Sequence, residues 1–291
     1  MEHGLFRHIR RALRAMGRRH RSGRDTFTDA TILEVYLWAA LHDRPVSWAC
    51  QAANWPPRTR RGPLPSASTV SRRMRTASIR STLERLRRRC AGEGSNALVA
   101  VVDGKALVIG PHSHDRQSGY GRAVNGLGRG YKLHAIVDAT GRLLSWRLAP
   151  MQVDESKMAR RMLGELGGVA YLLGDSSYDK NHLYDAALER GIELRAPRRC
   201  ARGTPLGHRR HSPARVRSRD TLEAGDHEFG RGLMRHRWAV ERYFGALCSS
   251  PGGLGHLPAW ARGHRRVRNW VAAKLTIHAA RQGLRREGLV Q

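Results

Sequence analysis

Three acidic residues could do chemistry, because the residues around each of them are apolar. Asp103 ends one run of Val and Ala, and Asp175 ends a run of Leu, Val and Gly, and both runs are typical of buried strands. A buried strand normally excludes a charge unless the charge is paired or bound to a cation. Glu241 lies among apolar positions of a predicted helix, one turn beyond Arg237, so an ion pair is the alternative to metal binding there.

Carboxylates in this setting indicate metal chemistry. If the two strands are neighbours, the side chains of Asp103 and Asp175 converge. Oxygen ligands suit Mg²⁺ or Mn²⁺, which keep several waters and share phosphate oxygens with a substrate. Two such ions ~4 Å apart activate an attacking oxygen and stabilise a leaving oxygen in phosphodiester cleavage. Asp103, Asp175 and Glu241 are therefore candidate catalytic residues and candidate ligands of two Mg²⁺ or Mn²⁺ ions, with the ion pair to Arg237 as the alternative for Glu241.

The composition indicates the class of partner. The 291 residues include 53 Lys and Arg against 24 Asp and Glu, which gives a formal net charge of +29. A field of this sign attracts polyanions, so a nucleic acid is the expected partner, with an acidic membrane surface as the alternative. The longest apolar run, residues 35–41, is far shorter than the ~20 residues of a spanning helix, so no membrane is expected. The four cysteines show no zinc spacing and are expected to be reduced thiols of a cytoplasmic protein.

The charges are distributed unevenly along the chain. Residues 58–89 contain eleven Arg against one Glu, whereas residues 98–191 contain twelve Lys and Arg and ten Asp and Glu. Acids weaken affinity for phosphate, and metal binding is one reason to concentrate them; the mixed surface of a folded domain is the other. We predict a basic helical DNA-binding region at 1–92, a catalytic domain at 97–250 with a basic loop at 198–225, and a helical tail at 251–291.

The first region has the pattern of a small helical DNA reader. Helices are predicted over residues 28–41, in a short segment after Pro45, and from Ser66 or Ser68 through Leu86. Basic residues in the opening turns of the last helix are typical of a helix-turn-helix that enters the major groove. The candidate DNA contacts are Arg72, Arg73 and Arg75. A plain helical bundle with solvated arginines is the alternative.

From residue 97 the pattern changes to an α/β one. Three consecutive strands are predicted, with a turn at residues 138–141 between the second and the third. An amphipathic helix capped by Asp154 follows, and strands then alternate with helices. Lys132 and His134 share one face of the second strand and are candidate phosphate contacts, with a satisfied surface pair as the alternative. The His-x-His-Asp string at 112–115 follows Gly-Pro in a Gly-rich segment and is predicted to be loop rather than a metal site.

Four ordered motifs resemble the DDE transposases of bacterial insertion sequences. They are V-V-D-G at 101–104, G-Y-K-L-H-A-I-V-D-A-T-G at 130–141, L-G-D-S-S-Y-D at 173–179 and R-W-A-V-E-R-Y-F at 237–244. The resemblance covers residues 97–250 and implies an RNase H-like mixed sheet flanked by helices. In it, Asp103, Asp175 and Glu241 match the three metal-binding acids of the family.

The resemblance also assigns roles near the third acid. One branch of the family carries Tyr-x2-Arg-x3-Glu-x6-Lys; Arg237 and Glu241 fit this pattern, whereas Met234 and Cys248 replace its Tyr and Lys. Arg237 is accordingly a candidate DNA contact. The position of Tyr178 implies a contact with DNA near the site, with packing at the start of a helix as the alternative.

Taken together, the resemblance implies a prokaryotic, nucleoid-associated DNA transposase. Such an enzyme binds terminal inverted repeats, nicks the DNA by hydrolysis and joins the freed 3′ hydroxyl to target DNA, as a homodimer when assembled on DNA. Two alternatives use the same residues. One is a catalytically decayed or domesticated DNA-binding protein, and the other is an RNase H-like nuclease without strand transfer.

Overall fold

The computed structural model of the protein describes residues 2–16, 26–57, 62–92, 97–110, 112–124, 126–200, 204–207, 210–224, 227–249 and 251–288. The chain forms two compact units. One, the helical unit, combines Met1–Glu93 with Ala246–Gln291, and the other, the sheet unit, is Gly94–Gly245. No helix among the described residues is long and apolar enough to cross a membrane.

The helices and strands follow one another in this order. The helices are α1 (Glu2–Ala15), α2 (Asp29–Leu41), α3 (Val46–Ala49), α4 (Ala67–Arg73), α5 (Ala77–Cys90), α6 (Glu155–Met162), α7 (Asn181–Leu188), α8 (Pro213–Arg219), α9 (His227–Arg235), α10 (Trp238–Ser249) and α11 (His264–Arg286). The strands are β1 (Val99–Val108), β2 (Gly119–Ala123), β3 (Gly126–Asp138), β4 (Leu143–Pro150), β5 (Tyr171–Leu173) and β6 (Glu193–Arg195).

Hydroxyl side chains cap the helices of the first region. Thr28 Oγ1 accepts a hydrogen bond from the amide of Thr31 at 3.1 Å, which starts α2 where the sequence predicts it. The single helix predicted from residue 66 through 86 is instead two helices, α4 and α5. Thr76 separates them, because its hydroxyl donates to the carbonyl of Arg73 at 2.9 Å and accepts from the amide of Ile79 at 3.4 Å. Its side chain thus ends one helix and caps the next.

A buried lysine joins the two sequence segments of the helical unit. Lys274, on α11, is fully buried. Its ammonium donates to the carbonyl of Ala40 at 2.6 Å, to Asp43 Oδ1 at 2.6 Å and to the carbonyl of Gly252 at 3.1 Å. All three donors of the ammonium are therefore satisfied, as a buried charge requires.

The sheet unit is built on a mixed six-stranded sheet. Its strands run in the order β2-β3-β1-β5-β6, and β4 also pairs with β3. β1 is antiparallel to β3 and parallel to β5, and β6 is parallel to β5. Helices α6 and α7 pack on one face of this sheet in a core that includes Val102, Ile136 and Leu172. The predicted α/β fold, an RNase H-like mixed sheet flanked by helices and preceded by an all-α region, is confirmed.

Two segments differ from the sequence prediction. Strand β2 forms within the Gly-rich segment between the first two predicted strands. No strand was predicted there, because the residues of this segment lack apolar alternation. The segment at 198–225, predicted to be a basic loop, contains α8. Two ion pairs hold this segment: Arg215 with Asp179 at 2.6 Å and Arg198 Nε with Glu223 at 2.6 Å.

Candidate active site

The pairing of β1 with β5 brings two of the predicted acids together. The parallel register joins Val101 with Leu173. Asp103 lies two residues beyond Val101 on β1, and Asp175 lies two residues beyond Leu173, just past the end of β5, so the pairing of these strands brings the two acids near each other. Asp175 contributes to the electrostatic environment of Asp103, which agrees with this placement.

Backbone amides orient both carboxylates. The amide of Gly104 donates to Asp103 Oδ1 at 2.7 Å, and the amide of Ser177 donates to Asp175 Oδ1 at 2.7 Å. Within the part of the chain that the structure describes, the second oxygen of each carboxylate accepts no hydrogen bond. Each acid therefore has one oxygen held by the backbone and one that is available to a ligand.

The ionised form of Asp103 is disfavoured by its surroundings. Burial raises the pKa of Asp103 from 3.8 to about 6, the negative charges of Asp175 and Glu155 add to the rise, and the Gly104 amide and Arg237 oppose it. Magnesium is commonly held by one or two carboxylates together with waters and substrate phosphate oxygens. Each of the two carboxylates has one oxygen that is available to a ligand, and their negative charges repel each other. This arrangement fits such a cation, because the positive charge offsets the repulsion.

Glu155 is a site residue that the sequence analysis did not single out. It is the first residue of α6, next to the capping Asp154, and it forms an ion pair with Lys132 on β3. The side chains of Glu155 and Lys132 are only 19% and 10% exposed. The helix start at Asp154 is visible in the sequence, but nothing in the sequence connects it with Asp103, because that proximity arises from the packing of α6 on the sheet.

Lys132 and His134 lie together over Gly104. Strand pairing places Gly104 opposite His134. A Cβ on Gly104 would lie 2.8 Å from Lys132 Cδ and 3.5 Å from His134 Nδ1, so the glycine leaves room for the lysine stem. His134 is fully buried, and neither of its ring nitrogens has a hydrogen-bond partner among the described residues. Burial, followed by the positive charge of Lys132, lowers the pKa of His134 to about 4. The imidazole is thus neutral at physiological pH.

Tyr178 is buried close to Asp103 and Asp175. It ends the 3₁₀ turn Ser176–Tyr178 that follows Asp175, and it is fully buried in the core against α6 and α7. A Cβ on Gly174 would lie 2.8 Å from the tyrosine Cδ2, so the glycine makes room for the ring. Burial, followed by the charges of Glu155, Asp103 and Asp175, raises the pKa of Tyr178 far above its ordinary value. In this position the ring packs and its hydroxyl stays protonated.

Glu241 is paired with Arg237, and the positive charge of Arg237 also acts on Asp103. Arg237 Nη2 lies 3.8 Å from Glu241 Oε1, at the start of α10, and the two side chains are 34% and 47% exposed. The same arginine lowers the pKa of Asp103. Among the described residues, no three His, Cys, Asp or Glu side chains lie close enough together to form a metal-binding group. The structure thus brings Asp103 and Asp175 together and leaves Glu241 paired with Arg237.

The structure places the remaining candidate residues within their own units. In the helical unit, Arg72 and Arg75 are exposed, whereas Arg73 donates to the carbonyl of Phe27 at 3.0 Å and pairs with Asp29. In the sheet unit, Asp115 of the His-x-His-Asp string is buried in the loop before β2.

The fold and the carboxylates define an α/β domain whose RNase H-like sheet carries one acid within the central strand β1 and a second acid just after the neighbouring parallel strand β5. The sequence model of the transposase DDE domain matches residues 94–279, and the chain belongs to this family. No curated protein matches the chain. Among solved structures it is similar to the piggyBac transposase in a synaptic complex with hairpin DNA, at 10% identity and a TM-score of 0.48, over 97% of this chain and 72% of that one.

Proposed function

We propose that the protein is a DNA transposase that binds the terminal inverted repeats of its element and cuts and joins DNA at the site around Asp103 and Asp175. The observation that carries the proposal is the proximity of these two acids on neighbouring parallel chain segments, each with one carboxylate oxygen held by a backbone amide. Membership of the DDE transposase family supports the same conclusion. Hydrolytic nicking and strand transfer are both in-line displacements at phosphorus, so one site can serve both.

Asp103, Asp175 and Glu241 are the proposed ligands of Mg²⁺ or Mn²⁺. When bound, the ions supply Lewis-acid activation of the phosphodiester and of the attacking oxygen. Glu241 is paired with Arg237 at 3.8 Å, so its role as third ligand requires it to exchange this partner for the cation. After this exchange the guanidinium of Arg237 is free to bind a DNA phosphate near Asp103, so metal binding and substrate binding support each other.

Further residues bind and position the substrate in this proposal. Lys132 presents an ammonium near the acids and is held there by Glu155. Arg72 and Arg75, which are exposed on the helical unit, are proposed to contact the DNA of the inverted repeats. Assembly of two ends for joining calls for at least a dimer on DNA.

The proposal is tested by cleavage of duplex DNA that carries the ends of the element. We expect Mg²⁺-dependent nicking at the ends by the wild type, and we expect Asp175→Asn to abolish nicking while DNA binding persists. The matched control is Asp185→Asn, which removes the charge of an exposed aspartate on α7 of the same unit and should cut like the wild type. Cleavage by Asp175→Asn at the wild-type rate would refute the assignment.

The same assay separates the alternatives. DNA binding without any divalent-dependent cleavage by the wild type would indicate a decayed or domesticated binding protein. Cleavage with no joining of pre-nicked ends to a target plasmid would indicate a nuclease without strand transfer.

A further inference from the structure

A short β-ribbon on the sheet unit exposes apolar side chains that belong to neither the core nor the proposed site. The ribbon consists of β2 and the first five residues of β3, Gly126 to Gly130, which pair antiparallel. Tyr120 is 62% exposed, Val124 is 96% exposed and Leu127 is 79% exposed. Burying such side chains is favourable, so an exposed group of them indicates a contact surface.

Glycines make the two faces of the ribbon different. Gly121 is paired with Gly128, and on this face a Cβ would lie 2.7 Å from the carbonyl oxygen of Met151 or 3.2 Å from a methyl group of Val108. The glycine face therefore lies tightly against the rest of the sheet. The opposite face, where Tyr120 is paired with Arg129 and Arg122 with Leu127, carries the larger side chains.

The base of the ribbon is held firmly. Asp115 Oδ2 accepts a hydrogen bond from the hydroxyl of Tyr131 at 2.8 Å, and the Asp115 carbonyl accepts one from Arg129 Nη2 at 2.7 Å. The guanidinium of Arg129 also lies over the ring of Tyr120, 5.7 Å from its centroid. Tyr120 is thus held in place by the ribbon itself, which lowers the entropy cost of using it in a contact.

The charge of the segment indicates the kind of partner. Between Asp115 and Asp138 the sequence contains no acid, whereas it contains Arg116, Arg122, Arg129 and Lys132. Arginines beside an exposed aromatic ring suit a phosphate backbone and the sugars and bases next to it. The charge therefore excludes a basic partner, and the exposed ring beside the arginines favours a nucleic acid, whose bases and sugars can contact it.

The ribbon also lies within reach of a substrate in the proposed site. Leu127 and Lys132 are on the same strand, five residues apart, which is about 17 Å of extended chain. A DNA duplex is wider than this distance, and its major groove, about 12 Å wide, admits a two-stranded β-ribbon. DNA that contacts Lys132 can therefore meet the ribbon at the same time.

We propose that the β2–β3 ribbon enters a groove of the double-stranded DNA next to the cleavage site. Arg122 contacts phosphate, and Tyr120 and Leu127 contact sugars and base edges. This inference rests on the proposed function, since it adds a second contact for the same DNA. It assigns a binding role to residues that lie outside the acid cluster and outside the helical unit.

Fluorescence anisotropy with a labelled duplex carrying the element's end tests the proposal. The assay contains EDTA, so that no cleavage occurs. Arg122→Ala should reduce the slope of log K against log[salt] by about one, because one phosphate contact is lost. Tyr120→Ala and Leu127→Ala should each weaken binding about tenfold at constant salt, with the slope unchanged.

The controls make the same changes elsewhere on the sheet unit. Arg190→Ala removes a guanidinium that is 44% exposed, and Leu188→Ala removes a leucine that is 40% exposed, both near the end of α7. Both controls should bind DNA like the wild type. Wild-type binding by all three ribbon variants would overturn the ribbon assignment and leave the proposed function intact. No DNA binding by the wild type would refute the proposed function itself.

A crosslinking experiment tests the contact without weakening it. The photoreactive residue p-benzoylphenylalanine is placed at position 124, the most exposed of the three apolar positions, and at position 188 as the control. After irradiation with the labelled duplex, we expect a crosslink to DNA from position 124 and none from position 188. A crosslink from position 124 to a second copy of the chain, with none to DNA, would assign the ribbon to a dimer interface and overturn the proposal.

Discussion

The carboxyl group of Asp103 links the chemistry of the site with the stability of the protein. It lies beside Asp175 and near Glu155, and burial together with these charges raises its pKa to about 6. A carboxyl group whose pKa is higher in the folded protein than in the unfolded chain binds its proton more tightly when folded. The ionised group therefore costs stability at neutral pH unless a cation compensates, as is common at sites that bind charge.

This cost leads to a prediction for Asp103→Asn. In EDTA at pH 7.5 the variant should be more stable than the wild type by about 1–3 kcal/mol, because the amide removes a charge that is disfavoured first by burial and then by the neighbouring acids. The advantage should shrink as the pH falls through 6, where the wild-type carboxyl group takes up its proton. Denaturant unfolding at pH 7.5 and pH 5 measures it. Asp185→Asn is the control, and equal destabilisation by both variants would contradict the account.

At this scale the sequence identified some site residues and missed others. Asp103 and Asp175 were recognisable because each follows an apolar run, and the parallel pairing of β1 with β5 then brings them together. Asp103 does not end its strand as expected, because β1 continues to Val108 through its pairing with β3. Glu155 was not recognisable, since an acid in the first turn of a helix is common and its contact with Lys132 depends on tertiary packing. Arg73 was predicted to contact DNA, and the structure gives it a partner within the helical unit, Asp29, that no local pattern indicates.

Among the elements, β3 determines most of the geometry of the sheet unit. It pairs with β2 over residues 126–130, with β1 over residues 130–138 and with β4 over residues 131–137. It therefore carries the ribbon at one end and Lys132 and His134 near the acids. Local patterns predicted β1, the apolar half of β3, and β4. They did not predict β2, whose Gly-rich sequence forms a strand only because the backbones approach closely.

Gly130 provides the test of this close approach. A Cβ at this position would lie 2.1 Å from the carbonyl oxygen of Leu107, a backbone atom that cannot move without breaking the pairing of β1 with β3. Gly130→Ala should therefore destabilise the protein by about 2–4 kcal/mol in denaturant unfolding. Gly164→Ala, where a Cβ would meet nothing within 4 Å, should change the stability by less than about 1 kcal/mol. Equal effects of the two substitutions would contradict the packing described here.

At the scale of the whole molecule, the chain returns to the helical unit after it has formed the sheet unit. Residues 246–291 group with residues 1–93, and Lys274 connects them through Ala40 and Asp43. The sequence indicated helices in both segments, because capping and periodicity are local. It did not indicate that one of only five lysines would be fully buried, because the three oxygens that bind its ammonium come from distant parts of the chain.

The net charge predicts how DNA binding depends on salt. With a formal charge of +29, the protein should displace many counterions from DNA, so affinity for any duplex should fall steeply with salt. We expect a loss of about 10³-fold or more between 50 and 200 mM salt, for end-containing and unrelated duplexes alike. Anisotropy titrations at four salt concentrations measure the slope. A slope shallower than about −3 would mean that few of these cations contact phosphate, contrary to the proposed role.

The central claim is that Asp103, Asp175 and Glu241 hold the same divalent ions. Isothermal titration of the full-length protein with Mn²⁺ tests it most directly, with the triple variant Asp103→Ala, Asp175→Ala, Glu241→Ala as the baseline. The account predicts Mn²⁺ binding by the wild type and by Glu155→Gln, and a loss of at least about tenfold in affinity for Glu241→Gln. Wild-type affinity in Glu241→Gln, or no binding by the wild type above the baseline, would contradict it.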